Sequence, residues 1–223
     1  MHIVALLFVF LFVITAPPVG SQTSPIFLVT WSADSYVAPL FEGRPLPTTG
    51  TPVSVAFELV ENGRFVSLGA QEVRWFLGGT LAQKSAGGKT FAFTARGSVG
   101  AHQLRIELPN FRGGQALSKS IQIPAVEPEM VLDAPYVKNV VSAPELILGA
   151  LPYYFNVARA GDLLFGWKVN NAIPEGVARA PEILTITIPE GTPAGSKIFT
   201  EVEIVSTKNQ NERASAKALF TTQ

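Results

Sequence analysis

The sequence predicts an all-β protein made of two consecutive β-sandwiches that follow an N-terminal export segment. Three observations predict this architecture. Apolar and polar residues alternate with a period of two along most of the chain, the 19 glycines and 17 prolines supply turns between the alternating runs, and the pattern starts again after a proline-containing linker. Hydrophobic residues make up 47% of the chain and charged residues only 15%, so there is enough apolar surface for packed cores.

The first element is an apolar segment at the N-terminus. Ile3 to Ile14 are uninterrupted apolar residues, which suits the core of a signal peptide and is shorter than the roughly 20 residues that span a bilayer. Residues 15–18 contain two prolines and end any helix, and Val19-Gly20-Ser21 offer small residues for cleavage before Gln22. No Lys or Arg precedes the apolar run, so an uncleaved N-terminal anchor stays open. We therefore interpret residues 1–21 as a signal peptide or anchor, with the rest of the chain extracytoplasmic: secreted, periplasmic or on the cell surface.

Residues 25–124 are predicted to form the first sandwich. The clearest strand candidate is 102–108, in which Leu104, Ile106 and Leu108 face one way and polar residues the other. Further candidates are 26–31, 53–59, 71–75, 89–94 and 118–124, and glycine-rich turns separate them. Short strands that each have one polar face are typical of a sandwich whose sheets expose one face to water.

The second sandwich is predicted over residues 129–223, after the short linker Pro124–Pro128. Its strand candidates are 146–155, 163–169, 184–188, 198–204 and 216–220. Trp75 and Trp167 occupy equivalent mid-strand positions in the two halves, each followed by a turn of glycines or asparagines and then by a strand with paired hydrophobes. We predict that each tryptophan is a core residue that bridges two sheets.

Residues 100–123, GAHQLRIELPNFRGGQALSKSIQI, resemble the last two strands of a bacterial Ig-like or PKD-type repeat. In that repeat a glycine precedes an alternating strand, a polar turn and a final Ile-x-Ile strand. Residues 195–221 resemble it more loosely, and the PKD turn Trp-x-Phe-Gly-Asp-Gly is replaced here by Trp75-Phe76-Leu77-Gly78-Gly79, which favours the broader Ig-like label. The resemblance implies an extracytoplasmic spacer, adhesion or assembly module, since a fold alone fixes no chemistry.

The composition argues against several classes of function. The chain contains no cysteine, which excludes disulfides, thiolate metal sites and cysteine nucleophiles. Its 17 basic and 17 acidic residues balance, so the basic excess of a nucleic-acid-binding surface is missing. We therefore expect no nucleic-acid partner.

Residues for catalysis or metal binding are few and dispersed. His102 is the one histidine after the export segment, and Gly-x-Ser-x-Gly does not occur. Glu201 and Glu203 share a strand face, where solvation is expected rather than a catalytic cleft. The three aspartates are far apart in sequence: Asp34, Asp133 and Asp162. We predict no enzyme activity, no metal and no cofactor; a hydrolase is the least favoured alternative.

Five aromatic residues are the candidates for a binding surface. Tyr153, Tyr154 and Phe155 are consecutive, and strand pleating cannot point three such rings into one core. At least one should contact solvent, the other domain or a partner, and packing between domains is the favoured interpretation. Trp31 and Tyr36 lie on the first strand and in the proline-containing segment after it, and Trp31 could cap the first core or form a contact surface, with the cap favoured.

The sequence therefore favours a non-enzymatic extracytoplasmic structural or interaction protein, acting as a spacer, an adhesion module or an envelope-assembly module. The alternative is a carbohydrate- or peptide-binding module that uses exposed aromatic side chains. The expected partners are other envelope or surface proteins, or a glycan. Membrane contact is expected only through an uncleaved N-terminal segment.

Overall fold

The strands dominate the structure, a computed structural model that describes residues 24–39, 41–97, 99–174 and 181–223. These residues form sixteen β-strands and three single-turn 3₁₀ helices, Phe111–Gly113, Val137–Asn139 and Ala160–Asp162. The all-β prediction is confirmed. The predicted signal peptide, residues 1–21, lies outside the described residues. In the described part of the chain no helix is both long enough and apolar enough to cross a membrane.

Nine strands precede the predicted linker or end in it: β1 Ile26–Ala33, β2 Tyr36–Val37, β3 Pro52–Glu61, β4 Arg64–Phe65, β5 Glu72–Leu77, β6 Thr80–Ala86, β7 Thr90–Thr94, β8 Gly100–Leu108 and β9 Leu117–Ala125. Seven follow it: β10 Glu129–Asp133, β11 Val140–Val141, β12 Glu145–Phe155, β13 Leu163–Val169, β14 Ile183–Thr187, β15 Lys197–Ser206 and β16 Arg213–Thr222.

The strands form four sheets. In the first sheet β3 pairs with β1 on one side and with β4 and β7 on the other, and the second sheet has the order β6-β5-β8-β9. We call these two sheets the first sheet pair. The third sheet has the order β10-β12-β14, with β2 added to β12, and the fourth has the order β11-β16-β15-β13; these form the second sheet pair. Every pairing is antiparallel except that of β11 with β16. Two stacked sheets of this order have the Ig-like arrangement, as predicted.

The first core is built by period-two alternation on its strands. On β3, Val53, Val55, Phe57 and Leu59 are all buried, while their neighbours face outward. Trp75 on β5 is fully buried, and its ring lies 5.5 Å from the ring centroids of Phe57 and Phe91. Phe91 comes from the opposite sheet, so the tryptophan contacts both sheets of the pair.

The second core repeats this arrangement around Trp167 on β13, which is 3% exposed. The largest fully buried side chains around it come from β12, β14 and β16: Leu146, Leu148, Phe155, Leu184 and Phe220. The two tryptophans also have equivalent partners in register, since Trp75 pairs with Ile106 on β8 and Trp167 with Val202 on β15. The repeated pattern in the sequence thus corresponds to two separate clusters of buried residues.

Five strands were not expected from the sequence: β2, β4, β6, β10 and β11. Three of them are only two residues long and show no periodicity. β6 and β10 lie at sheet edges and bury none of their residues, so the burial pattern that identifies the other strands is missing from them. The candidates 26–31 and 146–155 are strands β1 and β12, each with bounds that extend by one or two residues.

Candidate functional site

The candidate site is the junction between the two sheet pairs, where residues 34–39 reach from β1 to the second sheet pair and residues 41–51 lead back to β3. Strand β2 lies in this segment and pairs with β12, with Val37 opposite Tyr153 and Tyr36 opposite Phe155. A strand that lies between β1 and β3 in sequence is therefore part of a sheet of the second pair. The predicted linker contacts the same segment, because the Val126 amide donates a hydrogen bond of 3.0 Å to the Pro47 carbonyl. We call residues 34–39 and 41–51 together the crossing segment.

A bulge in β12 presents aromatic rings to the crossing segment. The pairing with β2 shifts register between Tyr153 and Phe155, and Tyr154 between them has a φ of 65°. An extra residue in a strand rotates the side chains around it, and a left-handed conformation is costly for a residue other than glycine. Consequently Phe155 points into the second core, while Tyr153 and Tyr154 stay half-buried outside it.

Phe41 of the crossing segment packs against both tyrosines. Its ring centroid lies 5.3 Å from that of Tyr153 and 6.1 Å from that of Tyr154, both in edge-on geometry, which is favourable for aromatic pairs. Gly43 lies under the Phe41 ring so closely that a Cβ atom there would be 2.4 Å from Phe41 Cζ. A side chain at position 43 would therefore displace the ring from the tyrosines.

Asn156, directly after β12, forms the polar part of the junction. Its side-chain nitrogen donates to the Thr49 carbonyl at 2.7 Å, and its side-chain oxygen accepts a hydrogen bond from the Thr51 hydroxyl. The Thr51 hydroxyl oxygen also accepts from the Thr48 amide at 2.9 Å, and Thr51 is fully buried. The backbone amide of Asn156 donates to Glu212 Oε1 in the turn between β15 and β16. One residue of the second sheet pair thus fixes the end of the crossing segment.

Burial perturbs two ionisable groups at this junction. Glu212 is 5% exposed, and desolvation raises the pKa of its carboxyl above the ordinary value, although the hydrogen bond from Asn156 acts in the opposite direction. Burial, together with the nearby charge of Glu129, raises the pKa of Tyr154.

The structure brings four of the five candidate aromatic residues together. Tyr153, Tyr154, Phe155 and Tyr36 all lie where β2 meets β12, and Tyr36 packs against the second core. Trp31 lies apart on β1, half-buried against the first core, with the Arg44 guanidinium 4.5 Å above its ring. Sequence reasoning missed Phe41, Thr51 and Asn156, because loop residues carry no periodicity that would indicate a long-range contact.

The residues considered for catalysis or metal binding lie in separate parts of the structure. His102 faces the inside of the first sheet pair against Phe93, at 5.3 Å between ring centroids; burial lowers its pKa, and Nε2 has no partner among the described residues. Glu201 and Glu203 lie on the outer face of β15 in ion pairs with Lys217 and Arg213. Within residues 24–39, 41–97, 99–174 and 181–223, no group of three His, Cys, Asp or Glu residues is placed to hold a metal ion.

Comparisons with known proteins find similarity among solved structures. No family model matches the chain, and no curated protein matches it in sequence. Among solved structures, three N-terminal domains of the bacteriophage RB49 highly immunogenic outer capsid protein are 12% identical, with a TM-score of 0.45 over 88% of this chain and 59% of that one. This chain thus spans less than two thirds of the phage protein's solved length.

Two further solved structures are similar at the same level. The full ectodomain of mouse nectin-like molecule 4 (Ig1–Ig3) is 13% identical, with a TM-score of 0.38 over 90% of this chain and 64% of that one. A chimeric titin Z1Z2 is 14% identical, with a TM-score of 0.33 over 91% of this chain and 98% of that one. These likenesses concern the Ig-like fold alone.

Proposed function

We propose that the chain is a non-enzymatic extracytoplasmic structural and interaction protein whose junction holds two Ig-like sandwiches, residues 25–124 and 129–223, in a fixed relative geometry. The observation that carries this proposal is the crossing segment, which the second sheet pair holds by strand pairing, by aromatic packing and by hydrogen bonds to Asn156. A chain whose halves were independent would need only the short linker at Pro124–Pro128.

The three kinds of contact restrain different motions, which supports a stiff connection. Pairing of β2 with β12 fixes the direction of the crossing segment, because the backbone groups of both strands must stay in register. The hydrogen bonds of Asn156 fix its far end, near the start of β3. Phe41, which lies between these two attachments in sequence, packs against Tyr153 and Tyr154. A spacer or assembly module acts by holding its binding surfaces at a set distance, and such an arrangement supplies that rigidity.

Absence of cysteine permits a direct test of the stiff junction by paired spin labels. Labels at Leu81→Cys and Leu164→Cys, both exposed positions in different sheet pairs, should give a narrow distance distribution in the full chain. Replacing Phe41 and Asn156 together with alanine should broaden it, because packing and hydrogen bonds are lost at once. Asn209→Ala, in the turn between β15 and β16, is the matched control. A broad distribution in the unmodified junction would refute the spacer function.

The proposed compartment rests on the N-terminal segment and has its own test. Twelve consecutive apolar residues, Ile3 to Ile14, precede the small residues Val19-Gly20-Ser21. N-terminal sequencing of protein isolated from the producing cells should begin at Gln22 if the segment is a cleaved signal peptide. A membrane-bound species with an intact N-terminus would support the anchor, with the same external topology. A soluble cytosolic species with an intact Met1 would refute export.

A second candidate function is binding of a glycan or peptide by the junction tyrosines. The observation that favours it is that Tyr153 and Tyr154 are only half-buried, so part of each ring stays open to solvent beside Phe41. Aromatic side chains with one open face are common at binding surfaces. Screening the full chain on a glycan array should then give ligands whose binding is lost in Tyr154→Ala while the fold is kept. Binding that persists both in this variant and in Tyr153→Ala would exclude the tyrosines.

A further inference from the structure

The two sheet pairs differ at the edge formed by their last strands. In the second sheet pair the edge of β16 carries β11, with Val140 and Val141 running parallel to Thr221 and Thr222. In the described part of the first sheet pair, β9 pairs with β8 alone. The short strand that follows β1 in sequence is β2, which pairs with β12 of the second sheet pair instead. The end of this edge is covered in both halves, because Val126 donates to the Pro47 carbonyl as Gln223 donates to the Val141 carbonyl. From Leu117 to Ile123, however, β9 pairs with β8 alone among the described residues, so this part of the edge keeps unpaired backbone groups.

A mostly apolar groove of about 660 Å³ wraps around β1, from the outer face of the first sheet to Lys119 and Ile121 of β9. Phe27 and Val29 of β1 and Ile121 of β9 line it from the inside, and each is half-buried. Leu28 and Phe65, which are 54% and 73% exposed, line its outer part.

One cation in this groove has no carboxylate partner in the described part of the chain. Lys119 lies on β9 with the same parity as Leu117, Ile121 and Ile123, so its side chain leaves the strand on the core side, at the mouth of the groove. The other charged groove residues, Glu58 and Lys89, pair with each other at 2.5 Å. An inward-pointing lysine on an edge strand discourages aggregation by itself. A lysine among apolar residues also selects an occupant that brings a carboxylate.

We propose that this groove binds an extended peptide of a partner protein, which adds a strand to the β9 edge and places an acidic side chain against Lys119 between two apolar ones. Backbone pairing supplies affinity in such strand addition, and alternate side chains supply specificity. In the second sheet pair the last two residues of β16 carry such an added strand, β11, at the equivalent edge. The inference rests on the proposed function as an interaction module and names the class of its partner.

The test uses the full chain and labelled synthetic peptides of nine residues, the length of β9. The peptides alternate valine and serine and carry Glu, Gln or Lys at the central valine position. Fluorescence anisotropy should show the Glu peptide binding about tenfold more tightly than the Lys peptide. Lys119→Glu should reverse this order. Lys168→Glu, at an exposed position on β13, should leave it unchanged.

Backbone pairing is tested separately with a Glu peptide N-methylated at alternate residues, which should not bind because its edge-facing amides are blocked. Equal binding of the three peptides, or an unchanged order in Lys119→Glu with the circular dichroism spectrum intact, would overturn the proposal. Self-association of the chain that Lys119→Glu abolishes would also overturn it, in favour of a second copy at this edge. The peptide-binding results do not depend on the spin-label distances. A wrong proposal about the groove can therefore be distinguished from a wrong proposal about the stiff junction.

Discussion

The side-chain amide of Asn156 donates a hydrogen bond of 2.7 Å to the carbonyl of Thr49, which lies 107 residues earlier in the chain. The same side chain accepts a hydrogen bond from the fully buried Thr51 hydroxyl. Both contacts are made by a loop residue just after β12, so a single side chain connects the crossing segment to the second sheet pair.

Asn156→Ala should lower the free energy of unfolding by about 1–3 kcal/mol, because the buried Thr51 hydroxyl loses its acceptor and the Thr49 carbonyl its donor. Urea unfolding of the full chain measures this loss. Asn209→Ala removes an exposed hydrogen bond to the Asn211 amide and should cost less than about 0.5 kcal/mol. Equal losses in the two variants would contradict the role assigned to Asn156.

The two core tryptophans should respond differently to replacement by phenylalanine. Trp167 Nε1 donates to the Pro181 carbonyl at 2.8 Å, whereas the buried Trp75 Nε1 has no partner among the described residues. Trp167→Phe therefore loses a hydrogen bond along with ring volume, while Trp75→Phe removes an unpaired donor. We expect Trp75→Phe to be less destabilising by about 1 kcal/mol in urea unfolding. The reverse order would show that packing differences outweigh the hydrogen bond.

Long strands could be predicted from the sequence because their signal is local. On β3 and β8, alternation alone identified the buried residues, such as Phe57 and Ile106, since each inward side chain must be apolar. β6 has no such signal because none of its residues is buried. The pairing of Tyr36 with Phe155 could not be predicted from the sequence either, because the two residues are far apart in sequence and β2 is only two residues long.

The candidate site could be predicted only in part, for a related reason. Three consecutive aromatic residues, Tyr153 to Phe155, cannot all face one core, so the sequence indicates that something unusual happens there. It does not indicate the solution, which is a bulge at Tyr154. Asn156 is a single polar residue in a turn, and only the folded chain shows that Thr49 and Thr51 lie beside it.

Tyr154 should tolerate glycine better than alanine. Both substitutions remove the ring contact with Phe41, but only glycine adopts a φ of 65° without a steric penalty. We expect Tyr154→Gly to be more stable than Tyr154→Ala by about 1 kcal/mol in urea unfolding. At Tyr153, which has no positive φ, the order should invert because glycine weakens a strand. A preference for alanine at both positions would argue against strain at the bulge.

His102 should make the protein less stable in mild acid. Burial lowers its pKa in the folded state below the ordinary value of 6.5. As the pH falls below about 6.5, the unfolded chain binds a proton that the folded chain binds only at lower pH. The free energy of unfolding therefore decreases over this pH range. His102→Phe, which keeps an aromatic ring beside Phe93, should flatten the decline in urea midpoint between pH 7.5 and 5.5. An identical decline of the urea midpoint in this variant would mean that other ionisable groups cause it.

The carboxyl of Glu212 should change the stability with pH in the opposite direction from His102, and Glu212→Gln tests this expectation. Burial is the largest influence on its carboxyl and raises the folded-state pKa above 4.5. The folded chain therefore binds a proton before the unfolded chain does as the pH falls, so the buried carboxylate destabilises the fold most at neutral pH. Glutamine keeps an oxygen that accepts the Asn156 amide and carries no charge. Glu212→Gln should therefore have the higher urea midpoint at pH 7.5, and the difference should shrink towards pH 4.5.

Glu203→Gln, at an exposed position paired with Arg213, should change the midpoint little at either pH. A lower midpoint for Glu212→Gln at pH 7.5 would mean that the charged hydrogen bond to Asn156 outweighs the cost of burying the carboxylate.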